Sequence, residues 1–166
     1  MSFDTFMDVD GIVGESLAKG FEKKIDIFSF SWGAHSPVSV GSGTGGMSAS
    51  KVSISSFNVM KKTDAASPLL FEACCTGQHI NSILITMRKQ GGTASGQLPF
   101  LTYKFDGVMV ESVQWSGSTG GDDTPTESVS LAFAKVTVEY KMQDMKGAIV
   151  KGPKPVVWDL TKVTNA

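Results

Sequence analysis

The sequence predicts a mainly β domain, a sandwich or closed barrel with one α-helix laid against it. Two observations carry that expectation. Short apolar–polar alternations recur between Gly, Ser, Asp and Pro turn signals, and a single segment carries both a helix start and a helix stop. With 166 residues, 41% of them apolar and 19% charged, the chain can bury a core and fits a single domain over 1–166. No internal repeat or linker is visible.

Taken in order, Phe3–Val9 alternates, with Phe3, Met7 and Val9 on one face and Asp4 and Asp8 on the other. Segment 25–33 alternates strongly. Phe28, Phe30 and Trp32 form its core face, while Ile27, Ser29 and Ser31 lie opposite. Further strands are expected at 51–60, 83–89, 98–105, 108–115, 129–140 and 156–160. The helix is expected from Ser67, as N-cap, and Pro68 to the stop at Gly77, with Leu69, Leu70, Ala73 and Cys74 as its apolar stripe. A length of about ten residues is ordinary for a globular helix.

Two loops stand out. Residues 41–50, GSGTGGMSAS, carry almost no large side chain, and 116–126, SGSTGGDDTPT, end in acids and a proline. Two strands also change phase. Val129, Leu131 and Phe133 share a face, but Val136, Val138 and Tyr140 take the other. Val52 and Ile54 are likewise followed by Phe57 and Val59. A bulge or bend produces such a flip, and so does a strand that continues onto a surface buried by another subunit.

Composition argues against several functions. Net charge is −1 and Arg88 is the sole arginine, so the clustered cations of a nucleic-acid binder are missing. No apolar run of about 18 residues exists to insert in a membrane. The N-terminus is acidic where a secretory signal is basic and then apolar. The chain is therefore expected to fold in the cytoplasm and, if it leaves the cell, to do so without a cleaved signal. Cys74 and Cys75 are adjacent and form no disulfide framework.

Catalysis has no clear constellation either. His79 follows the helix that carries Cys74 and Cys75, but no acid is placed to orient it, and His35 is remote in sequence. Asp8 and Asp10 precede Gly11 as in a calcium loop, yet Ile12 and Gly14 stand where oxygen ligands belong. GSGTGG lacks the lysine and the helix of a phosphate cradle. Asp122 and Asp123 are read as solvated turn charges. Neither an enzyme activity nor a cofactor is expected.

Several segments then resemble one family, the haemolysin-coregulated proteins (Hcp) of type VI secretion. These are FDTFMDVDGIVGES with its triplet Gly14-Glu15-Ser16, IDIFSFSWG (25–33), SPLLFEACCTGQH (67–79), ITMRKQGG (85–92), STGGDDTPTESVSLAFAKVTVEY (118–140) and PVVWDL around Trp158. They occur in order and span nearly the whole chain. The resemblance implies a β-barrel of two packed sheets with one flanking α-helix, similar to phage tail tube proteins. It also implies a homohexamer that stacks head-to-tail into a tube, driven from the cell by sheath and baseplate components behind a spike protein. Small secreted effectors would be carried in its lumen.

On that basis Ser29 and Ser31 are expected to face the lumen, where hydroxyls offer hydrogen bonds of about 1 kcal/mol net each. The loop Gly41, Ser42, Gly43, Thr44, Gly45 and Gly46 is expected to meet the next ring. Val136, Val138 and Tyr140 are the expected lateral contacts. Two rival readings share the β architecture: a phage-type tail tube protein, and a monomeric ligand-binding barrel that uses Trp32, Trp115 or Trp158.

Overall fold

A computed structural model describes residues 3–41, 46–91, 96–121 and 123–165. In chain order the strands are β1 (Phe3–Val9), β2 (Ile25–Ile27), β3 (Ser29–Ser31), β4 (Ala34–His35), β5 (Val38–Val40), β6 (Met47–Ala49), β7 (Ser53–Ile54) and β8 (Phe57–Lys62). Helix α1 (Ser67–Thr76) follows. Then come β9 (Ile80–Gln90), β10 (Gln97–Ser116), β11 (Thr126–Tyr140), β12 (Met142–Gln143), β13 (Ile149–Val150) and β14 (Val156–Asp159).

The main sheet runs β2-β1-β9-β10-β11-β8-β3, with β14 added beside β11. Its two ends, β2 and β3, are separated in the chain by Phe28 alone. A bend there passes the backbone from β1 to β8, and the Phe28 amide donates to the Met60 carbonyl at 3.1 Å. The sheet therefore curls into a nearly closed barrel. This corrects the single strand expected at 25–33. Before the bend Ile25 and Ile27 fill the core; after it Phe30 and Trp32 do, while Phe28 at the corner is 56% exposed.

The interior is packed by Met7, Ile25, Phe57, Val59, Ile83, Ile85, Phe105, Val108, Val129 and Leu131, all essentially inaccessible. Trp32 sits among Phe57, Tyr103, Phe105 and Phe133, with ring centroids 5.1–6.4 Å away. Edge-on ring packing of this kind adds about 0.5–1.5 kcal/mol per pair beyond burial.

The phase change at 129–140 is a bend. Phe133 and Val136 are both buried, and so are Phe105 and Val108 on β10 and Ile80 and Ile83 on β9. Register places these reversals side by side, with Asp106 opposite both Ser82 and Lys135. At the centre Gly107 has φ +63°, which lets β10 run unbroken through what the sequence suggested were two strands. Three neighbouring strands thus coil along one line. Val136 is covered by its own chain and needs no neighbour to bury it.

The change within 51–60 has another cause. β7 and β8 are separate strands in separate sheets, divided at Ser55 and Ser56. The Ser55 hydroxyl accepts from the Gly33 amide at 2.9 Å, and the Ser55 amide donates to the Gly33 carbonyl at 2.9 Å. From this clasp a two-stranded arm (34–41 and 46–54) leaves the barrel.

Helix α1 ends as expected, with Gly77 left-handed at φ +64°. Its start differs. Ala66 is the N-cap, and the Ser67 hydroxyl is turned away into a buried lysine network. Asp64 Oδ1 instead accepts from the Ala66 amide at 3.0 Å and from Ser67 Oγ at 3.3 Å. Of the expected stripe, Leu70 and Ala73 are buried, Cys74 is half-buried and Leu69 is exposed.

Candidate functional site

Four features of the surface and near-surface carry chemistry, and the arm is the first. The two-stranded ladder runs from Ala34 opposite Ile54 to Val40 opposite Met47, and the Gly41 amide closes on the Gly46 carbonyl at 3.1 Å. Residues directly opposite share a face. Val38, Val40, Met47 and Ala49 therefore form one apolar face, while Ser39 and Ser48 bond to each other on the other at 2.9 Å. Val38, Val40 and Met47 are 55%, 70% and 74% exposed. Met47–Ala49, expected in a loop, is strand. Of the expected stacking loop, Gly41 and Gly46 close the described ladder, and Ser42, Gly43, Thr44 and Gly45 lie outside the described residues, as does Asp122.

Second is a groove of about 300 Å³ between the base of the arm and β14. Trp32, Ala34, Val52 and Ile54 line one side, and Val136, Val138, Val156 and Trp158 the other. Every lining residue is apolar. The groove exists because β11 changes partner: β8 pairs with it up to Leu131 and β14 from Lys135 onward, so the two flanks diverge. The expected lateral residues divide here. Val136 forms the floor, Val138 is half-buried and Tyr140 is exposed past the end of the groove.

Third is the outer face of β3, β8, β11 and β10. Ser29 and Ser31 are exposed on it, opposite Met60 and Asn58. Register extends these into two rows: Ser31, Asn58, Ser130 and Ser112, then Ser29, Met60, Ser128 and Gln114. Neither row contains a charge. Ser130 Oγ donates to Asn58 Oδ1 at 2.7 Å and lies 3.3 Å from Glu111 Oε2. Only the two serines of β3 were singled out from sequence. Asn58, Met60, Ser128 and Ser130 alternate with the buried residues Phe57, Val59, Val129 and Leu131, and that alternation would have found them; Ser112 and Gln114 follow a register shift in β10.

Fourth is a buried charge cluster under α1. Lys61 and Glu127 face each other across β8 and β11 and are wholly inaccessible. Lys61 Nζ donates to Glu127 Oε1 at 2.6 Å, Asp64 Oδ1 at 2.8 Å, Ser67 Oγ at 3.0 Å and the Lys62 carbonyl at 2.9 Å. Among the described residues Glu127 Oε2 has no hydrogen-bond partner. The cluster is closed to solvent and presents no cleft for a substrate. It joins β8, β11 and the start of α1.

Elsewhere, Arg88 is structural. Its guanidinium lies 4.6 Å from the Phe6 ring and 5.1 Å from that of Phe21, with Asp4 at 3.6 Å. His35, His79 and Cys75 are exposed. Among the described residues no group of three or more His, Cys, Asp or Glu could hold a metal ion. Nor is any helix among them long and apolar enough to cross a membrane.

Comparison with known proteins agrees with the geometry. Residues 6–140 match the family "Type VI secretion system effector, Hcp". The chain is 36% identical to protein hcp1 of Pseudomonas aeruginosa over 166 residues, covering all of both chains. A solved type six secretion system protein superposes with a TM-score of 0.91 at 35% identity, over 98% of this chain and 99% of that one. Hcp1 of Salmonella typhimurium superposes with a TM-score of 0.75 at 28% identity, over the whole of both chains.

Proposed function

We propose that this chain, which belongs to the Hcp family of type VI secretion systems, is a ring-forming subunit of the secretion tube. Six copies close into a ring, and rings stack head-to-tail into a tube that leaves the cell and carries small effectors. Sheath, baseplate and spike components are its proposed partners.

The observation that carries this reading is the hairpin arm. An exposed apolar face on a projecting two-stranded ribbon is unfavourable in an isolated monomer, because isolated hairpins are marginal and bare edges invite pairing. Such an arm is expected where another surface completes it. An arm on one part of the molecule that meets a different part of the next makes a heterologous contact, which closes into rings or extends into filaments.

The hydroxyl and amide rows on β3, β8, β11 and β10 are the proposed lumen wall. Their groups form weak, interchangeable hydrogen bonds of about 0.5–1.5 kcal/mol each, enough to wet the wall and hold a cargo transiently. The rows themselves carry no charge, and the Glu111 carboxylate lies beside Ser130 at 3.3 Å. Nothing in this reading requires catalysis.

Native mass by light scattering behind size exclusion tests the proposal. A species near six times 17.6 kDa, or multiples of it, is the expected result. A monomer at every concentration would sink the tube reading and favour a ligand-binding barrel.

A further inference from the structure

We infer that the apolar groove between the base of the arm and β14, with the lysines just past its end, binds a free single-chain anionic amphiphile, a medium-chain fatty acid. The inference stands apart from the tube reading and does not depend on it.

The two ends of such a ligand each find a matching surface. The groove is lined wholly by apolar side chains, Trp32, Ile54, Val136 and Trp158 among them, and holds about 300 Å³. A lining with no polar side chain gives a sugar or an ion nothing to bond. It stabilises a hydrocarbon chain by burial alone. The volume lies at the lower limit for small-molecule sites. At about 30 Å³ per water-sized group it takes roughly ten of them, which is one chain of about ten carbons. The two chains of a bilayer lipid would not fit.

The groove leads to a cationic neighbour. Val138 and Val156 lie opposite each other at its last rung. Beyond them Tyr140 and Lys141 at the end of β11, with Lys151 and Lys154 ahead of β14, line a second cavity of about 660 Å³. Gly152 holds the lysine segment in place. Any Cβ there would collide with the Tyr140 carbonyl, so the backbone lies directly against the end of β11. Glu139, the acid in that lining, pairs with Lys141 at 3.7 Å. Lys151 and Lys154 are exposed and make no ion pair among the described residues. Two residues of about 3.3 Å each separate Val138 from Tyr140. A carboxylate therefore emerges beside the lysines while its chain stays in the groove.

Two of the three tryptophans, Trp32 and Trp158, line the groove, so with Trp115→Phe as the parent, fluorescence reads its occupancy directly. Decanoate, decanol and decyltrimethylammonium are titrated below their micelle concentrations. The expected result with decanoate is a saturable blue shift and protection from acrylamide. Decanol should bind about fivefold more weakly, and the cationic probe more weakly still. Lys151→Glu/Lys154→Glu should weaken decanoate at least about tenfold and leave decanol unchanged. Val156→Asp, which sets a carboxylate in the groove wall, should remove both. Every substituted position is exposed, and circular dichroism checks folding.

The decanoate titration is repeated on Val40→Asp/Met47→Asp, whose substitutions lie on the arm and outside the groove, so that association of copies cannot mask the site. Any of three results overturns the inference. The first is no spectral response to decanoate in either background. The second is three probes that bind alike. The third is decanoate binding that survives Val156→Asp and so lies elsewhere. Native mass decides the tube reading separately, and none of these results bears on it.

Discussion

Replacing Lys61 with methionine removes the cation of the buried cluster and little else. Methionine keeps most of the aliphatic stem, so the change isolates the charge. Glu127 is then left fully inaccessible, with Oε1 deprived of its 2.6 Å partner and Oε2 already without one. Asp64 and Ser67 lose the same donor but retain each other and the Ala66 amide. Breaking a buried ion pair by deleting one member costs about 3–5 kcal/mol, because an uncompensated charge stays in low dielectric. At about 2–4 °C per kcal/mol for a chain of this size, the melting temperature should fall by roughly 6–20 °C. The measurement belongs in a background that does not associate, since oligomer stability depends on concentration. The double variant Lys61→Met/Glu127→Gln, which buries no lone charge, should recover most of the loss. If Lys61→Met shifts stability by less than about 1 kcal/mol, or the double variant is worse than the single, the cluster does not act as an ion pair and the reasoning fails.

Two further outcomes follow from the backbone and from the C-terminal turn. Gly107→Ala forces a side chain onto a left-handed residue and sets its Cβ 3.1 Å from that of Ala134. It should cost about 1–2 kcal/mol from the backbone alone, read as a lower urea midpoint; an unchanged midpoint would mean the bend tolerates ordinary backbone geometry. Asp159 Oδ1 accepts from Thr161 Oγ1 at 2.6 Å and from the Thr161 and Lys162 amides at 2.9 and 3.1 Å. The Thr161 hydroxyl first, and then these amides, hold the Asp159 carboxyl below its ordinary value of 3.8. A carboxyl made more acidic by folding stabilises the fold above its unfolded pKa, and that support fades as pH falls through the lowered value. Hydrogen exchange at Thr161 and Lys162 should therefore accelerate below pH 3.8, and in Asp159→Asn it should lose that dependence beyond the intrinsic one.

Most of the barrel was legible because alternation survives in strands with one buried face. Phe3–Val9 was bounded correctly, and the helix stop at Gly77 follows from local chemistry alone. Failures occurred where local pattern and tertiary path disagree. Phe28 continues the alternation of its segment, yet it sits at the corner where the chain changes neighbours. Ser67 has the residue type of a cap, but the buried Lys61 amine competes for its hydroxyl. Val136 read as a surface residue because a pleat reversed across three strands cannot be seen in one of them. The charge cluster was missed although its signal was present. Lys61 continues the buried phase of Phe57 and Val59, and Glu127 that of Val129 and Leu131, so two opposite charges in core positions on separate strands could have been paired from alternation.

The corner at Phe28 also bears on how the barrel closes. In a barrel whose first and last strands lie at opposite ends of the chain, the seam waits for the whole polypeptide and carries a loop-closure penalty that grows with its length. Here the two margins of the curled sheet are joined by one peptide corner, so drawing them together costs almost no chain entropy beyond ordering that residue. The partners that fix them, β1 and β8, both lie within the first 62 residues. The seam can therefore be laid down by sequence-local pairings, and the long strands β9, β10 and β11 then fill a circumference whose ends are already tied.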